Sequence, residues 1–520
     1  MSSEKLASAQ NVLKGNLAGA WDILSGDQGQ STDLGIARRF GGAAIAYSLR
    51  DIGAMNGRVI KVRRPRDDEA RDFSAGAVAS GGIEQFVIGQ DILDLYNKAA
   101  HFPGGSTNNY FNTSITLSGA FTISFDVVFT ADAFGTNDTR IFQDTSGNDL
   151  LTFTANNTCK FRVGSDVRNF STLSTALELY RKYSMIFSRD GSGNYTLTVD
   201  GAAVATKSSS DTDDFTINRI GFRSTGALLN ININSGQHIF AGDGADNSNW
   251  LDTGSGTTAN ATKVGTVNAF TGQNIDAFVD TWYDQSGNGF HMTQDTNSIQ
   301  PNIIKDGALL SGIFAPVDTG SASQKVHLES TFDNQDIPDG TTQMTYIVVG
   351  ENITSVGNGN NKGTIFGSFR GVANYVEGQL GLVVESSNKL GLYNGLTTDA
   401  NVFQHSDVTT SGDNAVQTNK VIMVGSANNR SVTLFSNDQT QTADFVKNTG
   451  GVEDLNLADS SATDSDRSFV RIFAPCRDNS VRSENYSFGT ISECILYAGA
   501  DGVTSLTDIR NDLNSYYQYY

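Results

Sequence analysis

Apolar and polar residues alternate almost perfectly along Phe121-Thr122-Ile123-Ser124-Phe125-Asp126-Val127-Val128-Phe129, so one face of this stretch is buried. Shorter runs of the same kind at 150–154, 159–163, 183–188, 194–199 and 215–223 predict further strands. Asp190-Gly191-Ser192-Gly193 and Asp200-Gly201 supply hairpin turns. So many short strands in one stretch predict a β-sandwich. A second block of runs, at 344–349, 364–369, 379–384, 389–393, 420–424, 431–435, 469–473 and 487–497, predicts another. Both blocks start on a long alternating strand and end on a late strand closing in an aromatic, a weak internal repeat that predicts two sandwiches of similar design.

The pattern changes period near the two ends. Leu6, Leu13, Leu17, Trp21 and Leu24 recur at three- and four-residue steps, predicting a helix over 4–24 that Gly15 and Gly19 weaken. That helix either packs on its own domain or docks onto a partner. Ser505-Leu506-Thr507-Asp508 reads as a capping box opening a second helix, whose apolar stripe is Leu506, Ile509, Leu513 and Tyr516. Residues 43–88 form a small compact segment, with strand or short-helix character at Ala44 to Arg50 and Arg58 to Arg63. Residues 235–275 are rich in Gly, Asn, Ser and Thr and read as a long loop or linker.

Composition narrows the class. Gly supplies 54 of 520 residues and Pro only 6, a balance suited to strands joined by Gly, Asn and Asp turns. Thirty Phe residues suffice for a buried core. The 56 acidic against 36 basic residues give a net charge of −20, which argues against a nucleic-acid backbone as partner. The basic cluster from Arg58 to Arg71 is interleaved with Asp67, Asp68, Glu69 and Asp72 and reads as a salt-bridged face. Cys159, Cys476 and Cys494 have no metal-ligand spacing; Cys476 and Cys494 could meet on neighbouring strands, but buried thiols fit their setting better. No apolar run reaches membrane-spanning length, and the first thirty residues have no continuous apolar core of a secretion signal.

Chemistry is sparse. The chain carries no phosphate-binding loop, no dinucleotide fingerprint, no His-Glu-X-X-His and no nucleophile elbow. Its five His residues are scattered and read as surface or packing groups. Asp211-Thr212-Asp213-Asp214 and Asp243-Gly244-Ala245-Asp246 have the oxygen content for calcium but not an EF-hand pattern, so no cofactor or metal is assigned. The specific stretch is Trp282-Tyr283-Asp284-Gln285-Ser286-Gly287-Asn288-Gly289-Phe290-His291, two aromatics running into a turn of capping residues and glycines. Either an active-site loop or a structural clasp could be built from it. The clasp reading has Trp282 and Tyr283 anchored in the core while Asp284, Ser286 and Asn288 fix the loop backbone.

Around this turn an ordered set emerges: Ala46-Tyr47-Ser48-Leu49-Arg50, Ile60-Lys61-Val62-Arg63-Arg64 with Asp67 and Asp68 behind it, Trp282 to Gly289, and Gln300-Pro301. This set resembles the module shared by the catalytic domain of fungal-type α-L-arabinofuranosidase B and many tailed-bacteriophage virion proteins. The resemblance covers roughly 43–90 and 276–520. It implies an all-β fold of two concanavalin A-like (laminin G-like) antiparallel sandwiches with short terminal helices. The expected organisation is a docking segment at 1–42, split parts of the module with a linker at 43–97 and 236–325, an inserted sandwich at 98–235 and a C-terminal sandwich at 326–520.

The glycosidase branch uses a carboxylate nucleophile and a carboxylic acid/base. By resemblance the nucleophile falls on Gln343-Met344-Thr345-Tyr346-Ile347, where Thr345 stands in place of Glu and Glu351 is out of register. The acid/base position is similar to Asp478. One carboxylate of two does not support the retaining mechanism. The early Cys pair of that branch is also absent. The resemblance therefore implies a non-catalytic virion protein, a head decoration, fibre or tail-associated component on the particle surface. Its expected partners are capsid or tail proteins, met through the N-terminal segment, with host glycans second. Homo-oligomers, trimers in the first instance, are expected, although no coiled-coil heptad is present. The alternative is a retaining arabinofuranosidase-like enzyme.

Overall fold

The computed structural model describes residues 43–316 apart from 54–56, 104–108, 131–132, 135–137, 165, 172, 209–212, 222, 242–248 and 274. Beyond that it describes 326–333, 336–338, 341–355, 362–367, 379–385, 390–395, 420–428, 431–437, 439–444, 469–474, 476–477, 480–481, 487–499 and 506–519. The helix expected over 4–24, the cap at Ser505, the Asp243 to Asp246 cluster, Asp211, Thr212 and Asp478 lie outside the described residues. The chain divides into two compact units, one of 84–276 with 305–308, the other of the residues before and after them.

The 84–276 unit is a two-layer antiparallel sandwich. One sheet runs Asp166–Ser171, Thr158–Val163, Leu150–Ala155, Thr139–Gln143, Phe215–Ile220, Tyr110–Leu117, Ala261–Val264, Asn249–Trp250. The other runs Ala202–Lys207, Tyr195–Val199, Lys182–Arg189, Phe121–Phe129, Thr225–Ile233, Ala100–Pro103, Asn268–Ala269, with His238–Phe240 paired to Thr225–Ile233. Alternation puts Phe121, Ile123, Phe125 and Val127 into an aromatic-rich core with Phe142, Phe153, Phe161 and Phe187. Both residues of the Asp200-Gly201 turn have positive φ (50° and 81°), the geometry that matches strand twist in a two-residue hairpin.

Two expectations are corrected here. The stretch read as a linker adds strands to both sheets, and Trp250 and Phe240 are buried in the core. Its strands are two to four residues long, too short for alternation to show. The inserted unit is accordingly 84–276 rather than 98–235.

His101 lies in this core edge at 3% exposure, with Nε2 unpartnered, and burial pushes its imidazole down to about 4 from 6.5. The fold therefore favours the neutral ring. The stability this contributes is complete above pH 6.5 and is lost as pH falls towards 4. Acid titration should cost this unit up to about 3 kcal/mol at the His101 step. Urea unfolding between pH 7 and 4 checks it: His101→Leu should flatten that part of the profile, and an unaltered profile refutes it.

The other unit is also a sandwich, its two layers joined into one closed set of strand pairings, and 326–520 does not complete it alone. One layer runs Gln439–Asp444, Ser431–Ser436, Lys420–Asn428, Gln343–Ser355, Ser487–Ala498, and the last strand is flanked by Ala43–Ser48 and Ala308–Ala315. The second runs Leu390–Gly395, Gln379–Glu385, Lys362–Gly367, Phe469–Ile472, Leu328–Asp333, Met292–Thr293, Ala277–Trp282, Ile60–Arg63, Ala70–Phe73. The helix Leu506–Tyr517 lies on the outer face of the first layer, with Ile509 and Leu513 among Ile347, Val349, Ile422, Val424, Ile495 and Tyr497. Tyr516 is 52% exposed, and Tyr517 takes its expected place in the apolar stripe. Tyr517 falls four residues after Leu513, on the buried side.

Candidate functional site

The aromatic turn follows the strand Ala277–Trp282, which delivers Trp282 into the core against Tyr47, ring centroids 5.6 Å apart. The chain then reverses tightly. Gly287 and Gly289 have φ of 96° and 82°, a region glycine enters without steric cost. Inside the turn sits the buried carboxylate of Asp284. Its Oδ1 accepts from the N–H of Ala46 and of Ser286, both at 2.9 Å. Its Oδ2 accepts from the N–H of Gly289 (2.9 Å) and Phe290 (3.1 Å) and from Ser286 Oγ (2.8 Å). Five donors fill the carboxylate's lone pairs.

The neighbours are spent the same way. Gln285 donates from Nε2 to Ser48 O (2.7 Å) and accepts at Oε1 from Ile52 N–H (2.9 Å). Asn288 Nδ2 donates to Ala44 O (2.9 Å) and Ala43 O (3.2 Å). The Tyr47 hydroxyl donates to Phe290 O and lies 2.9 Å from Ser330 Oγ. His291 Nδ1 accepts from Asp284 N–H (3.1 Å). Tyr283 points the other way: its hydroxyl donates to Asp72 (2.6 Å) and Arg58 lies 5.0 Å over its ring. Burial and the Asp72 carboxylate raise that phenol above its usual range. Arg63 is buried and held by Gln300 (2.7 Å) and Asp68 (2.8 Å). Every resembling segment thus converges on one clasp that ties 43–48 and 60–63 to 277–300, and Trp282 and Tyr47 anchor it in the core. Tyr283 is a correction: it anchors at the surface, on Asp72 and Arg58, because the chain turns outward one residue after Trp282.

The strand Gln343–Ser355 places Thr345 on the face that carries the C-terminal helix. Thr345 is buried, opposite Tyr497 and Ser426, and its hydroxyl lies 2.9 Å from Ser426 Oγ. Glu351 lies past a bulge at Val349/Gly350, and its carboxylate meets Ser311.

Among the buried carboxylates that the sequence reading did not single out, Glu493 is fully buried. It stands opposite Ser48 and Val349. Arg50 grips it with Nε at 2.8 Å and Nη2 at 3.1 Å, and Ser48 Oγ and the Tyr517 hydroxyl each donate at 3.0 Å. Tyr516 lies 4.2 Å from the Arg50 guanidinium, closing the group from outside. Glu493 raises Arg50 further into the always-charged range, and burial with Glu493 raises the Tyr517 phenol. The available signal was one acid inside the apolar run Ile491-Ser492-Glu493-Cys494-Ile495-Leu496. The arrangement latches the C-terminal helix to the sheet.

Cys159 and Cys494 are buried free thiols that burial pushes up in pKa. Arg58, Arg64 and Arg71 pair with Asp72, Asp67 and Glu69. Among the described residues no three His, Cys, Asp or Glu gather around a metal position, and no helix is long and apolar enough to cross a membrane.

Comparison with known proteins gives structural likeness alone. No protein-family model and no curated protein sequence matches the chain. Among solved structures, it is similar to domains LG4-5 of the mouse laminin α1 chain at 9% identity, over 77% of this chain and 92% of that one, with a TM-score of 0.22. It is similar to the CBM40 of the Ruminococcus gnavus IT-sialidase bound to α2,3-sialyllactose at 14% identity, over 33% and 82%, with a TM-score of 0.21. A mutant GH54 α-L-arabinofuranosidase soaked with 4-nitrophenyl α-L-arabinofuranoside is similar at 12% identity, over 46% and 51%, with a TM-score of 0.27. The antiparallel pairings of the two sandwiches define the fold class.

Proposed function

We propose that the chain is a non-catalytic structural protein of a tailed-phage particle, displaying its sandwiches at the virion surface, with glycan contact as a second role. Thr345 supports the non-catalytic part of this reading. At the position where the resemblance calls for a nucleophilic carboxylate, a hydroxyl is buried against Ser426 on a face under the C-terminal helix. Its hydrogen-bond partner is another hydroxyl, Ser426 Oγ, which is no general base. The clasp agrees, because the carboxylate of Asp284 and the amide of Gln285 are committed to holding backbone. Fold alone would not decide between building and cutting.

Mass spectrometry of purified particles from the producing strain, with antibody labelling of intact virions, tests the proposal. The chain should be a stoichiometric, surface-labelled component, and deletion of residues 1–40 should abolish incorporation. Absence from purified particles overturns the virion role. Release of sugar from an aryl arabinofuranoside, lost in Asp478→Asn, would overturn the non-catalytic one.

A further inference from the structure

Arg189 ends the strand Lys182–Arg189 at one end of the 84–276 unit and is 3% exposed. Its Nε donates to Gly119 O and its Nη1 to Asp213 O, both at 2.6 Å, and Nη1 lies 3.3 Å from the Tyr195 hydroxyl. The Phe121 ring centre is 5.0 Å from the guanidinium and that of Tyr195 5.9 Å. Each of these contacts is with a neutral group. Nη2 is buried and has no hydrogen-bond partner. A guanidinium carries five N–H donors, so the two on Nη2 are unspent. Carboxylates stand close in sequence and space, yet each is turned elsewhere. Asp190, the next residue, accepts from the N–H of Ser192 and Asn194 and from Asn194 Nδ2. Asp213 offers Arg189 its carbonyl, while its carboxylate lies beside Gly164. Arg50 is the contrast, because Glu493 spans its Nε and Nη2.

We propose that Arg189 is the seat of an anion site that takes a single carboxylate group. A buried charge without a partner of opposite sign is costly, and aromatic faces and carbonyls offset only part of that cost. Water satisfies N–H donors but leaves the charge in place. A carboxylate does both, and its two oxygens match one edge of the planar guanidinium. The cover over the site is thin. Ser118, Gly119, Ala120, Asp190 and Gly191 are exposed, and a Cβ added to Gly119 or Gly191 would meet nothing within 4 Å. Lifting the Gly119 turn releases its bond to Nε and opens the Nε/Nη2 edge, the edge by which Arg50 holds Glu493. Asp190 and Asp213 at the rim repel a dense polyanion, so one carboxylate fits better than a row of them. This goes beyond the display role and does not depend on it, so failure here leaves the particle experiment untouched.

The test titrates the full chain with acetate, glucuronate and neutral glucose at fixed ionic strength. Thermal unfolding and NMR of arginine-labelled protein are the two readouts. Both carboxylates should raise the melting midpoint and move the Arg189 Nε–H signal, and glucose should do neither. At about a hundred times Kd the folding equilibrium of this unit should shift about a hundredfold. A tighter response to glucuronate than to acetate marks a sugar acid as the source, and an equal one marks a free carboxylate. Arg189→Met should remove the response. Arg162→Gln should keep it, because that arginine is already spent on Gly164 O and Gly147 O. Should Arg189→Met fail to fold, the NMR titration of the unaltered chain decides. An arginine that only ties turns together would lower stability when replaced and give no carboxylate response in the unaltered chain. That result, an equal response to glucose, or a full response in Arg189→Met overturns the proposal.

Discussion

Replacing Asp284 by Ala should cost the unit that contains it on the order of 4 kcal/mol, because backbone donors left without a partner cost about 1–3 kcal/mol apiece. The N–H groups of Ala46, Ser286, Gly289 and Phe290 all lose their acceptor. Some of that loss is recovered where the turn opens to water, which sets the total below the simple sum. Asn does not rescue the site. An amide keeps one acceptor oxygen, sufficient for Ala46 and Ser286, and turns an NH2 towards the N–H groups of Gly289 and Phe290. Two donors then face each other, so Asp284→Asn should be nearly as damaging as Ala. Hydrogen exchange with chemical denaturation separates this from a role in binding. Amides of 43–48 and 284–291 should lose protection while those of 121–129 keep theirs. Unchanged melting with a lost ligand would show that the turn is a recognition loop instead.

The second large effect is at the latch. Arg50→Ala strands the buried Glu493 carboxylate without its counter-ion, a change that costs about 3–5 kcal/mol when one member of a buried pair is removed. Glu493→Ala should cost a similar amount and also release the Tyr517 hydroxyl. Replacing both together, Arg50→Met with Glu493→Leu, should restore most of the stability, since a buried pair and an apolar pair of similar volume are often equivalent. The single variants should expose the amides of 506–517 first, because Arg50 and Glu493 hold Tyr517 from two sides. If the double variant is as unstable as either single one, the pair does more than satisfy its own charges.

The layered fold was legible where burial is one-sided. The stretch Phe121 to Phe129 reads as a strand because Thr122, Ser124 and Asp126 alternate with buried apolar residues, and the strand forms as expected. Asn249–Trp250 and Asn268–Ala269 were illegible, since two residues carry no period and their sequence context is that of loops. The clasp was legible as chemistry, because Asp, Ser and Asn between glycines have few uses other than fixing a backbone. Its partners were not: Ala46 and Asp284 are 238 residues apart, and only the folded sheet sets one against the other. Glu493 was hidden for the same reason, because Arg50 and Tyr517 reach it from distant segments. Tyr516 and Tyr517 lie three and four residues after Leu513, both beside the apolar stripe, and packing against the sheet selects Tyr517.

The pairing of Ala43–Ser48 with Ser487–Ala498 has a consequence for how the protein is made. Tyr47 aligns with Cys494, almost at the other end of the chain. At about 5–20 residues per second of translation, the early strand waits roughly 20 to 90 seconds for that partner to emerge. Its apolar residues Ile45 and Ala46, and its unpaired edge, are exposed to other nascent chains throughout. Residues 84–276 are complete long before then, with all of their sheet partners already synthesised. Biosynthesis therefore has two clocks, an early closure in the middle of the chain and a late one that needs nearly the last strand. Slowing ribosomes late in the message would prolong the vulnerable interval, and aggregation during expression should track that interval more closely than it tracks the stability of the finished molecule.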